Sequence, residues 1–194
     1  MRAAVLLLAL APTLALPAAA QDVRPADMER LAYQTEHFGA AMREALEGGS
    51  AADVEALRVA LSGPAPGGID PAGEWSCRTI KIGGLVSLVV YTPFRCRIAE
   101  IEPGLWQIDK LTGSQRLSGR IEATQAGLVY TGVGFVGERP ATDYAGLPDT
   151  QEPVEPGQTH AQVGLLEMAS PERGRLLLPA PVLESRFDVI ELTR

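Results

Sequence analysis

Residues 73–101 read GEWSCRTIKIGGLVSLVVYTPFRCRIAEI and contain both cysteines of the chain, Cys77 and Cys96, with a glycine pair between two apolar runs. Runs rich in Val, Ile, Tyr and Thr that are bounded by Gly and Pro are typical of β-strands joined by turns. We therefore predict that this stretch is the founding hairpin of a sheet, against which the later part of the chain is laid.

A disulfide and a tight turn make competing predictions for this hairpin. If the glycine pair 83–84 formed a two-residue turn, Cys77 would pair with Val90, which lies six positions before Cys96. At the usual strand rise the two cysteines would then be about 20 Å apart. A disulfide needs Cα atoms within about 7 Å. Two cysteines in an exported chain usually pair, and closing this loop of about 20 residues is worth roughly 3 kcal/mol. We expect the disulfide and a wider turn centred near Val86, unless Pro93 folds the strand back.

Residues 1–20 have the three-part pattern of a secretory signal. An early positive charge, Arg2, is followed by the apolar run AAVLLLALAPTLAL and by three alanines before Gln21. The apolar run is too short, and too interrupted by prolines, for a bilayer of about 30 Å. We predict cleavage after Ala20, a periplasmic or secreted protein, and no integral membrane segment after cleavage.

The charge balance argues against nucleic acid as a partner. The whole chain has 17 basic and 24 acidic residues, and the signal removes one basic residue and no acid, so the mature chain has a net charge of −8. Binding to phosphates needs clustered Lys and Arg. We therefore expect a small ligand or an exported protein as the partner, and no nucleic acid.

A segment rich in Gly and Pro divides the mature chain. Before it, apolar residues spaced by three and four indicate one helix over 25–46, and Ser50 is suited to cap a second helix that ends at Gly63. We predict a helical hairpin over residues 21–63, a linker over 64–72 and a β-domain over 73–194. The hairpin is expected to flank the sheet, with a separate partner-binding arm as the alternative.

The β-domain contains about eight strand-like runs, joined mostly by short turns. This pattern favours a mainly β fold, an antiparallel meander of about eight strands that forms a small barrel or curled sheet, preceded by the two-helix hairpin. Residues 137–159 are rich in Pro and polar residues and are predicted to form a long loop, which is often functional or mobile. The predicted strands are 74–82, 87–101 with an interruption near Pro93, 105–111, 115–123, 127–136, 160–169, 174–179 and 185–193.

Few residues suited to catalysis stand in a recognisable pattern. His37 and His160 have no second His or Cys at metal-ligand spacing, and no nucleotide-binding or hydrolase motif is present. We expect no metal, no cofactor and no catalytic residue, and interpret both histidines as structural or surface residues. The alternative is a hydrolase in which two acids converge, and the acids available for it are Asp109, Glu122, Asp143, Glu184 and Asp188.

Polar and aromatic side chains of the strands suggest a ligand-facing set. Arg116, within LTGSQRLSG, is suited to a charged bond in a barrel mouth or to an anionic ligand, with a solvent-facing turn as the simpler interpretation. The aromatic residues of the strands are expected to pack a core, with a ligand cavity as the alternative. The candidate ligand-facing residues are Trp75, Tyr91, Trp106, Arg116 and Tyr130.

Five motifs occur in the order GEWSCRTIKIGG, VVYTPFRCRI, KLTGSQRLSG, LVYTGVGFV and PAPVLESRFDVIEL. Together they resemble an uncharacterised family of exported alphaproteobacterial proteins, the domain of unknown function DUF4893. That resemblance implies export and assigns no site residue. The GEW motif also resembles the GxW of lipocalins, and an early disulfide in a small barrel is similar to bacterial inhibitors of secreted metalloproteases, although here two helices precede the barrel.

These observations lead us to expect a non-enzymatic binding module, lipocalin-like in architecture. Protease inhibition through the stretch before Gly73 or through loop 137–159 is one version of this hypothesis. A cofactor-free hydrolase acting on envelope polymers and a purely structural envelope protein are the alternatives. A hollow of several hundred Å³ inside the barrel would favour ligand binding, whereas an occluded interior would favour a structural role.

Overall fold

The structure is a computed structural model that describes residues 23–194. The predicted signal peptide, residues 1–20, lies outside this range. Among the described residues, no helix is long and apolar enough to cross a membrane. The helices are α1 (Pro25–Ala32), α2 (Gln34–Gly48) and α3 (Ala51–Leu61), and the strands are β1 (Gly73–Ile82), β2 (Leu88–Val90), β3 (Phe94–Glu102), β4 (Leu105–Lys110), β5 (Gln115–Thr124), β6 (Gly127–Val136), β7 (His160–Ser170), β8 (Arg173–Pro179) and β9 (Phe187–Thr193).

The strands form a closed antiparallel barrel. Each strand from β3 to β8 pairs with the next along the chain, β1 pairs with β3, and β9 pairs back onto β1 over Ser76–Ile82. Eight strands therefore complete the circle. The short strand β2 pairs with Ile80–Ile82 of β1, on the same edge of β1 that pairs with β3 over Gly73–Cys77. The predicted mainly β fold with an eight-stranded antiparallel barrel is therefore confirmed.

A disulfide joins β1 and β3 inside the barrel. The Cα atoms of Cys77 and Cys96 lie 5.8 Å apart. Cys77 is paired with Phe94, and Cys96 with Trp75, so the bridge connects diagonal rather than directly opposite positions. The predicted disulfide is confirmed, and the two half-cystines face the core together.

The turn between β1 and β2 is wide, as the disulfide requires. The Gly83 amide donates a hydrogen bond to the Ser87 carbonyl at 2.9 Å. Gly84 has a φ of +95°, and a Cβ at this position would lie 3.0 Å from the Cα of Ser185. The glycine pair is therefore needed for a left-handed backbone and for close approach of the β8–β9 loop, and the tight two-residue turn does not form.

Apolar side chains fill most of the barrel. These side chains form one cluster, which we call the inner cluster. It includes both half-cystines, and its members are nearly or fully removed from solvent. The inner cluster comprises Trp75, Cys77, Cys96, Ile98, Trp106, Ile108, Leu117, Ile121, Tyr130, Leu166, Met168, Leu176, Leu178, Ile190 and Leu192.

The helices α2 and α3 cover the outer face of the barrel near the β1–β9 pairing that closes it. α2 and α3 pack on β1, β2, β8 and β9, where Leu57 and Phe187 are almost completely buried. Arg175 on β8 donates hydrogen bonds to the Leu61 and Ser62 carbonyls at the end of α3, at 2.8 and 3.1 Å. The final carbonyls of a helix have no partner within the helix, so this arginine both caps α3 and fastens it to the barrel.

The predicted two-helix hairpin is replaced by three helices. The single helix predicted over 25–46 is divided at Tyr33 into α1 and α2. Arg30 of α1 donates hydrogen bonds to the Pro179 and Ala161 carbonyls on the barrel and to the buried carboxylate of Asp27. α1 contacts β7, whereas α2 packs on β1, β2, β8 and β9, and the helix is interrupted at Tyr33 between these two contacts.

The linker and the long loop both pack on the barrel. Trp75 and Trp106 donate their indole N–H groups to the Pro71 carbonyl and the Asp70 carboxylate, at 2.9 and 3.1 Å, so the linker covers one end of the barrel. In loop 137–159, Tyr144 is buried against the outer face and its hydroxyl donates to Asp27 at 2.7 Å. Neither segment extends freely from the protein.

Replacement of both half-cystines by alanine is expected to lower the free energy of unfolding by about 3 kcal/mol, since the unfolded chain regains the entropy of a loop of about 20 residues. Urea unfolding followed by tryptophan fluorescence measures the change. Wild-type protein treated with a reductant should lose a similar amount. Equal midpoints for oxidised wild type and the double variant would contradict the assigned role of the bridge.

Candidate functional site

The end of the barrel opposite the linker is lined by polar side chains. We call this region the polar mouth. It encloses a cavity of about 50 Å³. Its polar lining residues are Thr79, Lys81, Lys110, Gln115, Arg116, His160, Gln162 and Asp188.

Strand alternation explains why charged side chains point inwards here. Side chains two residues apart lie on the same face of a strand, so the inward position of Cys77 places Thr79 and Lys81 inside the barrel as well. Lys110 is paired with the inward-facing Cys96, and Asp188 is paired with Lys81. The polar mouth is thus formed by the last inward positions of several neighbouring strands.

A carboxylate from the β8–β9 loop reaches into this mouth. The Lys81 Nζ donates to Glu184 Oε2 at 2.5 Å, and the Gln115 side-chain amide donates to the two oxygens of the same carboxylate at 3.3 and 3.5 Å. The hydrogen bond from Lys81 lowers the pKa of Glu184. The Lys81 side chain is 9 % exposed and that of Glu184 is 41 % exposed, so the carboxylate lies across the entrance.

Asp188 lies deeper, opposite Lys81. Burial raises the pKa of this carboxyl to about 6, against the opposing effects of a hydrogen bond from Ser185 and the charge of Lys81. The Ser185 hydroxyl donates to Asp188 at 2.5 Å. Glu184 and Asp188 therefore both lie beside Lys81, and their pKa values are displaced in opposite directions.

Lys110 is buried without an ion pair among residues 23–194. Its Nζ donates to the Thr79 hydroxyl at 3.1 Å and lies 4.3 Å from the centre of the Phe94 ring. Burial, and then the positive charge of Lys81, lower the pKa of this amine to about 8, and the negative charge of Asp188 opposes them. At pH 7 about a tenth of Lys110 is therefore uncharged, far more than for a lysine in water.

His160 and Gln162 complete the far wall of the mouth. The His160 Nδ1 lies 2.7 Å from the Gln158 carbonyl, so this nitrogen donates and Nε2 is left as an acceptor, and burial lowers the pKa of the ring. A Cβ at position 134 would lie 2.6 Å from His160 Nε2 and 2.7 Å from the side-chain nitrogen of Gln162, so Gly134 gives both groups their space. The buried Gln162 Oε1 accepts no hydrogen bond from the described part of the chain.

A second cavity, which we call the side opening, connects the surroundings of Lys110 with the outer wall. It measures about 120 Å³ and is lined by Thr79, Tyr91, Phe94, Lys110, Ser114 and Gln115. It lies where the strand is interrupted between β2 and β3, because Pro93 has no N–H to continue the ladder. Thr79, Lys110 and Gln115 line both cavities.

Of the residues predicted to face a ligand, two border these cavities. Arg116 lines the polar mouth and donates to the Gly113 carbonyl at 3.1 Å, and the partly exposed Tyr91 lines the side opening. Trp75, Trp106 and Tyr130 belong to the inner cluster, and Trp106 also lines a cavity of about 670 Å³ beside the linker. Of the five acids considered for hydrolysis, Glu184 and Asp188 are brought together, whereas Asp109 accepts a hydrogen bond from Ser118 outside the polar mouth.

The two lysines of the site were missed by sequence reasoning, although the sequence contains a signal for them. The chain has 15 arginines and only 2 lysines. Both lysines lie inside the barrel mouth. Lysine can lose its proton when buried, whereas arginine stays charged in proteins, so the choice of lysine at only these two positions points to a use for the amine.

The fold and site together define a small closed antiparallel barrel with a packed interior and a cationic and carboxylate-lined mouth. The model of a family described as a domain of unknown function, DUF4893, matches residues 20–192, and the chain belongs to that family. No curated protein and no solved structure matches the chain.

The lowered pKa of Lys110 predicts a pH dependence of stability. Between pH 8 and 10.5 the unfolded chain retains a proton on Lys110 that the folded protein has released. The contribution of Lys110 to the free energy of unfolding therefore rises with pH in this interval. The slope is at most about 1.4 kcal/mol per pH unit. Urea unfolding of wild type and Lys110→Met across this interval isolates the effect, because all other groups are shared. Parallel curves would show that Lys110 titrates normally.

Proposed function

We propose that this protein is a non-enzymatic binding module of the periplasm or extracellular space, and that its polar mouth binds a carboxylate group of its ligand. The observation that carries the proposal is the seating of Glu184. A carboxylate already lies across the entrance of the mouth, held by the buried ammonium of Lys81 and the amide of Gln115. The side chain of Glu184 thereby stands in for the acid group of a ligand.

Electrostatics support an anionic rather than a cationic ligand. Hydrogen bonds between an ammonium and a carboxylate are stronger than those between neutral groups. If a ligand carboxylate replaced that of Glu184 at Lys81, Arg116 and Lys110 would add positive charge around it, against the single buried carboxyl of Asp188. Burying an unpaired ammonium is costly, so Lys81 retains a partner in both states.

The size of the mouth limits what enters it. A cavity of about 50 Å³ holds only a few water molecules, so an acid group fits and a bulky body stays outside. The mouth does not accommodate a large apolar ligand of the lipocalin kind; the cavity of about 670 Å³ at the linker end, lined by Trp106, Leu166 and Met168, is the place that could hold one. The same carboxylate chemistry is offered by a small organic acid and by the C-terminus of an exported protein.

The hydrolase alternative has one observation in its favour. Acids with pKa values displaced in opposite directions are typical of acid–base pairs, and Glu184 and Asp188 meet that description. The small cavity and the lysine bound to Glu184 disfavour it, because a polymer would have to reach Asp188. Release of soluble fragments from purified peptidoglycan by wild type, and its loss in Asp188→Asn, would favour hydrolysis over binding.

Acetate titrations test the binding proposal. Glu184→Ala removes the internal competitor, so acetate at constant ionic strength should bind this variant at least about tenfold more tightly than wild type, a difference of about 1.4 kcal/mol. Chemical shifts of the Gln115 side-chain amide report occupancy of the mouth. Lys81→Met should abolish the saturable shift in the Glu184→Ala background.

Glu152→Ala is the matched control, because it removes one exposed negative charge in loop 137–159, outside the polar mouth. It should bind acetate like wild type. A peptide with a free C-terminus, compared with its amidated form, distinguishes a protein terminus from a small acid as the source of the group. Equal affinity of Glu184→Ala and Glu152→Ala for acetate would refute the proposed site.

A further inference from the structure

The two lysines of the chain have different surroundings, although they share one pocket. Lys81 forms an ion pair with Glu184. Lys110 donates to a neutral hydroxyl, that of Thr79, and rests on an aromatic ring, that of Phe94. Of the two lysines, Lys110 lines both the polar mouth and the side opening, whereas Lys81 lines only the mouth.

We propose that Lys110 is a nucleophilic amine that captures small aldehydes as an imine, and that the aldehyde enters through the side opening beside Phe94 and Tyr91. This inference goes beyond carboxylate binding at Lys81. It assigns a covalent site to the second lysine and names carbonyl compounds as its ligand class.

The reaction requires no oxidant or further reactant. The neutral amine of Lys110 attacks the carbonyl carbon, a C–N bond forms, and a proton passes from nitrogen to the former carbonyl oxygen. The resulting carbinolamine then loses its hydroxyl group and the remaining nitrogen proton as water, leaving a C=N bond. One aldehyde and one amine give one imine and one water, and the addition of water reverses the step.

The surroundings of Lys110 make the neutral, nucleophilic form more accessible than it is in water. Lysine amines become nucleophilic when they are desolvated or lie near another cation. Lys110 is 7 % exposed, and Lys81 is the neighbouring cation. The lowered pKa of Lys110 agrees with this arrangement. An arginine at position 110 would keep the positive charge but offer no such nucleophile.

The side opening also selects the ligand by size and polarity. A volume of about 120 Å³ admits an aldehyde with a short carbon chain. Phe94 and Tyr91 offer apolar surface to that chain. Thr79 and Gln115, which line the same cavity, offer polar groups to the oxygen of the carbinolamine.

Reductive alkylation of the mature protein tests this proposal directly. The folded protein is treated with propanal and sodium cyanoborohydride at neutral pH, and peptide mapping by mass spectrometry measures the rate at which each amine gains a propyl group. Only the N-terminus and the two lysines carry amines. We expect Lys110 to be labelled at least about tenfold faster than Lys81, and at least about tenfold faster than Lys110 of the urea-unfolded, reduced chain.

Two variants provide the controls. Lys110→Arg keeps the charge and should leave only slow labelling at Lys81 besides the N-terminus, while Lys81→Arg should leave the labelling of Lys110 fast. The comparison of folded with unfolded wild type requires no substitution, so a misfolded variant cannot decide the outcome. Labelling of Lys110 no faster than that of Lys81, or no faster in the folded than in the unfolded chain, overturns the proposal. Acetate binding is a separate readout, so this proposal and carboxylate binding can fail independently.

Discussion

The disulfide between Cys77 and Cys96 fixes which side of the first strands faces the core, and the site depends on that choice. A shift of one residue would turn every side chain of a strand to the opposite face. With Cys77 inside, Thr79 and Lys81 are inside too. With Cys96 inside, its partner Lys110 on β4 is also inside, and the pairing of Lys81 with Asp188 then brings the acid of β9 to the same place. One covalent constraint therefore brings both lysines and a carboxyl into one mouth.

The barrel separates a dry end from a wet one. At the linker end, two tryptophans donate hydrogen bonds to the covering segment, and apolar side chains fill the space between the strands. At the mouth, the same inward positions are occupied by two amines, a carboxyl and an imidazole. Burying charged groups costs several kcal/mol each unless they are well paired, and strongly displaced pKa values are concentrated at functional sites. The packed linker end therefore stabilises the strands whose other ends carry the buried charged groups of the polar mouth.

Much of the fold could be predicted from local patterns, because strand runs and turns are local. The predicted strand 115–123 corresponds to β5, and the predicted interruption near Pro93 corresponds to the break between β2 and β3. The division of the first helix at Tyr33 has no local signal in the sequence. Arg30, just before it, donates to barrel carbonyls more than one hundred residues away, and such contacts cannot be derived from local patterns. Prediction of the site would have required the register of three strand pairs, β1–β3, β3–β4 and β1–β9. Lys81 could nevertheless have been placed from Cys77 by alternation alone, and the scarcity of lysine was visible in the composition.

The position of Glu184 would let the proposed ligand carboxylate replace it without rebuilding the barrel. Glu184 has a φ of +70° and Ala180 a φ of +43°, conformations that cost non-glycine residues of order 1–3 kcal/mol. Backbone hydrogen bonds hold the loop there, from the Leu85 amide to the Glu184 carbonyl at 3.0 Å and from the Ala180 amide to the Arg186 carbonyl at 3.0 Å. Because these bonds involve only backbone atoms, the side chain of Glu184 can rotate into solvent while the loop stays fixed. A ligand carboxylate then has to compete with one exposed side chain, and not with the folding of the loop, for the ammonium of Lys81.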